Sequence, residues 1–237
     1  SLCRQYRRQP RDDEMNVADA LANRRSVRKF LDTPVPTDLL KSLIAAASRA
    51  PSGGNLQPWH IRVVTGAARS RLVDAVGEQI AAGVQSEPGE YDIYPKGLTP
   101  PYADRRFAIG EALYARLAIP REDRPARRAW FHENFRLFGA PVGLFCFVDR
   151  QMGPPQWSDL GMFLQSLMLL LVENGLASCP QECWAMFPGT VARILDVEPQ
   201  LMLFTGMSIG YEDHDAAVNA LRSDRAPLTE FTRFLDA

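Results

Sequence analysis

The sequence predicts a mixed α+β domain, and three observations lead there. The chain has 237 residues, 46% of them hydrophobic, enough to bury one sizeable core or at most two small ones. Three stretches read as strands, and helical patterns lie between them rather than in separate runs. The longest unbroken apolar run in the strongest helix, Leu167 to Val172, falls far short of the roughly 20 residues of a membrane span.

Residues 1–14 are polar and charged with no apolar period, and predict a disordered tail ahead of one domain over 15–237. Met15 could be the natural start, with the tail upstream of it. Asn16 to Asn23 reads as a short helix capped by Asn16. Pro34 and Pro36 interrupt the chain, and Thr37 is predicted to cap a helix over 38–50, apolar at Leu39, Leu40, Leu43, Ile44 and Ala47. The β-branched run His60 to Thr65 predicts a strand, and 67–85 a helix. Residues 86–106 carry Pro88, Gly89, Pro95, Gly97, Pro100 and Pro101 with Tyr91, Tyr94 and Tyr102. A loop of that length is a lid, a binding loop or a floppy insertion. Helices are expected near 107–117 and 125–137. The apolar run Val142 to Val148 predicts a buried strand.

Trp157 to Asn174 is the strongest helical pattern, apolar almost all round, with Gly175 ending it. Such a helix is buried on every face, within one chain or in a subunit interface. Leu201 to Ile209 is a further strand. The segment 216–237 is expected to end in a short apolar helix with Phe231, Phe234 and Leu235.

Lys+Arg numbers 27 and Asp+Glu 28. That balance argues against nucleic-acid binding, which draws on a basic excess. Cys3, Cys146, Cys179 and Cys183 form neither a disulfide ladder nor a zinc pattern, and His60, His132 and His214 are dispersed, so no metal site is expected. No signal-peptide pattern is read at the start, and a reducing, cytoplasmic setting is the expectation, with no membrane partner. The GxGxxG and P-loop cradles and the GxSxG elbow are missing.

Three clusters could carry chemistry. Arg24, Arg25, Ser26 and Arg28 put three guanidiniums and a hydroxyl within five residues. Arginine forks suit phosphate oxygens, although a solvated basic turn has the same composition. A second basic pair, Arg222 and Arg225, could converge on the same phosphate. Pro51-Ser52-Gly53-Gly54-Asn55-Leu56-Gln57 combines glycines that let backbone approach a flat ligand with amides that can read an imide-like ring edge. Cys179-Pro180-Gln181-Glu182-Cys183 reads as a strand-ending loop or as a source of backbone N–H donors. Phosphate- and ring-binding features without an evident acid, base or nucleophile point to a cofactor that does the chemistry.

RRSVRKF (24–30) followed by PSGGNLQPWH (51–60), PQE (180–182) and the ending IGYEDHDAAVNALRSDRAPLTEFTRF (209–234) resembles the FMN-dependent nitroreductases, in the branch of nitroaromatic and nitrobenzoate reductases. The resemblance runs from about Asn16 to the C-terminus. It implies a nitroreductase-like α+β fold, a central mixed or antiparallel sheet flanked by helices, in an intertwined homodimer with FMN at the subunit interface. Arg24, Ser26 and Arg225 would then bind the FMN phosphate. Arg25 would approach the phosphate or ribityl chain and Arg222 would assist. Arg28 would reach the pyrimidine edge. Pro51, Ser52, Gly53 and Asn55 would come from the other subunit, with Gln57 at the pyrimidine edge. Pro180, Gln181 and Glu182 would line the ring, with a backbone N–H near flavin N5. The 157–174 helix would form the dimer core. Two positions depart from many relatives, which have lysine at Ser223 and glycine at Cys183.

The same resemblance implies NAD(P)H as electron donor and ping-pong, two-electron reduction of nitro to nitroso to hydroxylamine. No side chain would be an essential catalyst, and Arg28 would give electrostatic support. Tyr91, Tyr94, Tyr102 and Phe107 are the candidate substrate-pocket residues. Quinone or flavin reduction, reductive dehalogenation or azoline oxidation on the same scaffold is the nearest alternative. A flavin-binding protein without turnover and a flavin-free anion-binding domain are the others.

Overall fold

The computed structural model describes residues 15–235. The predicted tail over 1–14 lies outside them. Eight α-helices are described: α1 (Val17–Asn23), α2 (Thr37–Ala47), α3 (Gly66–Ala81), α4 (Tyr102–Arg116), α5 (Arg124–His132), α6 (Pro154–Glu173), α7 (Pro188–Ile194) and α8 (Leu228–Phe231). Four strands, β1 (His60–Thr65), β2 (Val142–Asp149), β3 (Ala177–Gln181) and β4 (Leu201–Gly210), form one antiparallel sheet in the order β1-β2-β4-β3.

The sheet separates two apolar layers. Along β2 the side chains alternate between them. Val142, Leu144, Cys146 and Val148 face the layer built by α2 and α6, while Phe145 and Phe147 face the layer of α3, α7 and Trp184. A strand buried on both faces reads as continuous apolar sequence, and this is what VGLFCFV encodes. On β4, Gly206 lies directly beneath Trp184, where an added Cβ would come within 2.4 Å of the indole. The strand therefore has no side chain where the largest buried ring of the core packs.

α1 begins with the Asn16 cap that its sequence predicts, and Asp19 completes a capping box with it. Several expectations are corrected. Pro36, not Thr37, precedes α2, and no side chain caps that helix; Thr37 is its first residue, and it ends at Ala47 rather than 50. α4 starts at Tyr102, immediately after Pro101, so the irregular segment is 82–101 and not 86–106. α5 stops at His132; Glu133–Gly139 continues as a 3-10 stretch in which Leu137 and Phe138 take φ of 57° and 53° and turn the chain into β2. β3 is a strand rather than a loop. It pairs only with β4 within the sheet, and Pro180 is tolerated there because an edge strand has backbone N–H groups to spare. α8 has four residues, and Phe234 and Leu235 lie past its end, 76% and 80% exposed.

α6 is buried on one side by Leu160, Phe163, Leu167 and Leu171, each worth about 1.5–3 kcal/mol. Gly161 and Met162 are exposed, and Leu169, Leu170 and Val172 are only half-buried. Within one chain the helix is therefore not covered on every face. Gly175 follows it at φ 72°, the left-handed position that favours glycine. No described helix is long and apolar enough to cross a membrane.

Candidate active site

The two arginine clusters, about 200 residues apart in sequence, meet in one cleft. Its volume is about 420 Å³, and its lining includes Arg24, Arg25, Ser26 and Arg28 from the segment after α1, with Arg222, Ser223 and Arg225 from the segment before α8. α4 closes one wall through Ile109. No Asp or Glu among the described residues lines the cleft. Among the described residues, Arg24, Arg28, Arg222 and Arg225 form no ion pair with a carboxylate. Burial and, next, the charge of Arg225 hold the Arg24 guanidinium below its ordinary value. Two guanidiniums facing one another without a counter-charge are an anion site by composition.

Asn219, 2% exposed, holds the clusters in register. Its Oδ1 accepts from the Arg28 backbone N–H at 2.8 Å, and its Nδ2 donates to the Lys29 and Asp213 carbonyls at 2.8 Å each. Its own carbonyl accepts from Arg25 Nε at 3.1 Å. The Arg25 guanidinium also pairs through one nitrogen with both carboxylate oxygens of Glu212. Arg25 thus forms the wall of the cleft with its charge already matched, whereas Arg24, Arg28, Arg222 and Arg225 have no carboxylate partner among the described residues. Asn219 and Glu212 were missed by sequence reasoning. The only trace of Asn219 is one amide inside the small-residue run AAVNAL.

β3 connects this cleft to a second cavity. Ser26 bridges Ser178 in parallel, with Val27 N–H donating to the Ser178 carbonyl at 3.0 Å. Cys179 lies beside Ser26, Arg24 and Arg28; burial raises its thiol, and the nearby arginines and the Ser26 hydrogen bond oppose that. Pro180, Gln181 and Glu182 then line a cavity of about 470 Å³ together with Tyr94, Arg106 and Asn134. From Ser178 to Gln181 is about 10 Å of strand. A ligand with an anionic end and a flat end can therefore lie along β3.

The Gln181 side chain is engaged internally. Its Nε2 donates to the Asn134 carbonyl at 2.8 Å, and its Oε1 accepts from Ser208 Oγ at 2.5 Å and Trp184 Nε1 at 3.4 Å. Any ligand contact from Gln181 must come from its backbone. Burial raises the Glu182 carboxyl above its ordinary value.

The 51–57 loop stands apart from both cavities, and all of it except Ser52 is exposed. Gly54, Asn55 and Gln57 have φ of 57°, 57° and 51°, a run of left-handed backbone that needs anchoring. Ser52 Oγ accepts from Gln57 N–H at 3.0 Å, and Asp159 Oδ2 on α6 accepts from Gly53 N–H at 3.2 Å. Asp159 is 4% exposed; it too was missed, hidden in an otherwise apolar helix.

The aromatic candidates divide. Tyr94 lines the second cavity, and Phe107 lines a separate hollow with Arg106. Tyr91 packs on Trp157, and its hydroxyl donates to the Phe204 carbonyl. Tyr102 is 62% exposed at the start of α4. Of the four, Tyr94 lies in the lining of the second cavity, while Tyr91 packs against Trp157.

A nitroreductase family model matches residues 21–211. The chain belongs to the nitroreductase family. It is 36% identical over 219 residues to the nitrobenzene nitroreductase of Ectopseudomonas oleovorans, covering 92% of this chain and 96% of that protein. The solved FMN and NADPH-dependent nitroreductase NfnB of Sphigopyxis sp. strain HMH matches at TM-score 0.92 and 52% identity, over 94% of this chain and 100% of that one. The FMN-dependent nitroreductase NfnB of Mycobacterium smegmatis, solved with NADPH, matches at TM-score 0.86 and 36% identity, over 93% and 100%. The family boundary at 211 leaves Asn219, Arg222 and Arg225 outside the matched span, although they complete the arginine cleft.

Proposed function

We propose that the chain is an FMN-dependent oxidoreductase that takes electrons from NAD(P)H and reduces nitroaromatic compounds. The observation that carries this reading is the arginine cleft, free of carboxylates among its described lining residues and joined by β3 to a second cavity. FMN has the matching chemistry, a dianionic phosphate at one end and a hydrogen-bonding ring at the other. Bound there, it would supply two-electron hydride transfer, chemistry that no side chain of the site can perform.

In this reading Arg24, Ser26, Arg222 and Arg225 hold the phosphate. Arg25 is assigned a positioning role because Glu212 and Asn219 already engage it. Arg28, its backbone fixed by Asn219, places positive charge toward the ring. The backbone of Pro180 to Glu182 lines the ring. Pro51, Ser52, Gly53, Asn55 and Gln57 line neither of these two cavities in their own chain, which supports their serving the site of a second copy. The open side of α6, with Met162 exposed, supports the same homodimer. Cys146 and Cys179 are free, buried thiols, consistent with a reducing cytoplasmic setting.

The test is the visible spectrum of the purified protein before and after anaerobic NADPH, then after a nitroarene. A flavin spectrum that bleaches with NADPH and returns with the nitroarene is expected. A protein that stays colourless after FMN is added would overturn the proposal.

A further inference from the structure

Among the described residues, Arg106 is the only basic side chain lining the cavity at the end of β3. It projects from α4, and its Cζ lies 4.0 Å from the centroid of the Tyr94 ring. A cation held over an aromatic face has fewer rotamers to lose when it meets an anion. Its neighbour Arg105 is neutralised by Glu230 at 2.5 Å. Arg106 has no carboxylate partner among the described residues, and the one carboxylate of the cavity, Glu182, does not form an ion pair with it. The remaining lining includes Phe131, Pro180 and Met186, which suit a flat apolar ring.

We propose that Arg106 selects aromatic substrates that carry an anionic group, with a carboxylate as the best fit. The proposal rests on the nitroreductase reading of the same cavity and names its substrate class. The chemistry is orientational. Arg106 attracts an anion, while Glu182 repels one whenever its carboxyl is ionised. A ring bearing a carboxylate on one side and a nitro group on the other is therefore bound in one direction, with the carboxylate at α4 and the nitro group toward β3. A neutral nitroarene has no such preference and samples unproductive poses. A charge-assisted hydrogen bond from a guanidinium adds affinity as well as direction. The same anion chemistry could instead come from the 2′-phosphate of NADPH, the other ligand that would enter over this cavity.

The experiment compares 4-nitrobenzoate with its methyl ester, the same ring without the charge, using wild type, Arg106→Gln and Arg106→Lys at matched FMN content. In the wild type, kcat/KM for the acid should exceed that for the ester. Arg106→Gln should lower the acid-to-ester ratio about tenfold or more, and Arg106→Lys should restore most of it. Each assay is run with NADH and with NADPH. A rise in KM for NADPH alone, with the acid-to-ester ratio unmoved, would assign the anion to the 2′-phosphate and overturn the carboxylate assignment. A ratio and donor KM values that Arg106→Gln leaves unchanged, with both nitroarenes reduced, would overturn the role of Arg106 while leaving the nitroreductase reading intact. Failure of the wild type to reduce either compound would overturn both.

Discussion

Substitution of Asn219 by alanine separates the hinge between the arginine clusters from the clusters themselves. Three side-chain hydrogen bonds are lost, to Arg28 N–H and to the Lys29 and Asp213 carbonyls. The two carbonyls keep other donors, since Asp213 N–H donates to Lys29 and Ala216 N–H to Asp213. The Arg28 N–H is left without a replacement in a part-buried position. Three modest bonds at about 0.5–1.5 kcal/mol each, one of them leaving an orphaned donor, amount to about 2–5 kcal/mol. At this chain length each kcal/mol moves Tm by about 2–4 °C, so a fall of roughly 4–20 °C is expected. FMN affinity should fall at least tenfold, because Arg28 and the Arg222–Arg225 segment no longer share an anchor. Calorimetry of the apoprotein and an FMN fluorescence titration read the two effects separately. A variant with Tm within about 2 °C of wild type and unchanged FMN affinity would refute the hinge.

Two further outcomes follow from the same geometry. Burial raises the Glu182 carboxyl, so the fold binds its proton more tightly than the unfolded chain does. That contribution is present below the ordinary carboxylate value of 4.5 and is lost as pH rises through the raised folded value. Glu182→Gln should therefore gain stability relative to wild type as pH rises across that window, measured by urea unfolding at successive pH; a constant difference would contradict it. Asp159→Ala removes the acceptor for Gly53 N–H and should weaken FMN binding by about five- to tenfold, roughly 1 kcal/mol. Asp159→Asn, which keeps an oxygen there, should restore it, and equal losses in the two variants in FMN titrations would show that the loop does not depend on this bond.

The parts of the fold legible in sequence are those written in short-range pattern. β1 follows its β-branched run residue for residue, β2 its apolar run, and α6 the densest apolar stretch. β3 was not legible because its sequence, ASCPQ, has weak strand character, and partners at both edges, β4 and the Ser26 segment, define it. α7 begins at a proline after a turn and is held by packing of Val191 beneath α3, which no local period announces. In the site, the arginines stood out by charge and the 51–57 loop by its glycines and amides. What sequence could not show is which of these groups are already engaged. Gln181 and Arg25 look like ligand donors in a motif, yet their partners Ser208, Asn134, Glu212 and Asn219 lie 27 to 194 residues away. Arg106 went unnoticed for the opposite reason, because an exposed helix is full of charges and only its position over Tyr94 singles it out.

The central claim is that two remote arginine clusters form one phosphate site, and riboflavin, which is FMN without its phosphate, tests it most directly. Apoprotein is titrated with FMN and with riboflavin, for wild type and for the Arg24→Gln/Arg225→Gln double variant. Two charge-assisted contacts at about 1.5–3 kcal/mol each predict a wild-type preference for FMN of at least a hundredfold. The double variant should lose most of that preference while keeping its weaker riboflavin affinity. A wild type that binds riboflavin as tightly as FMN, or a double variant whose preference is undiminished, would contradict the account.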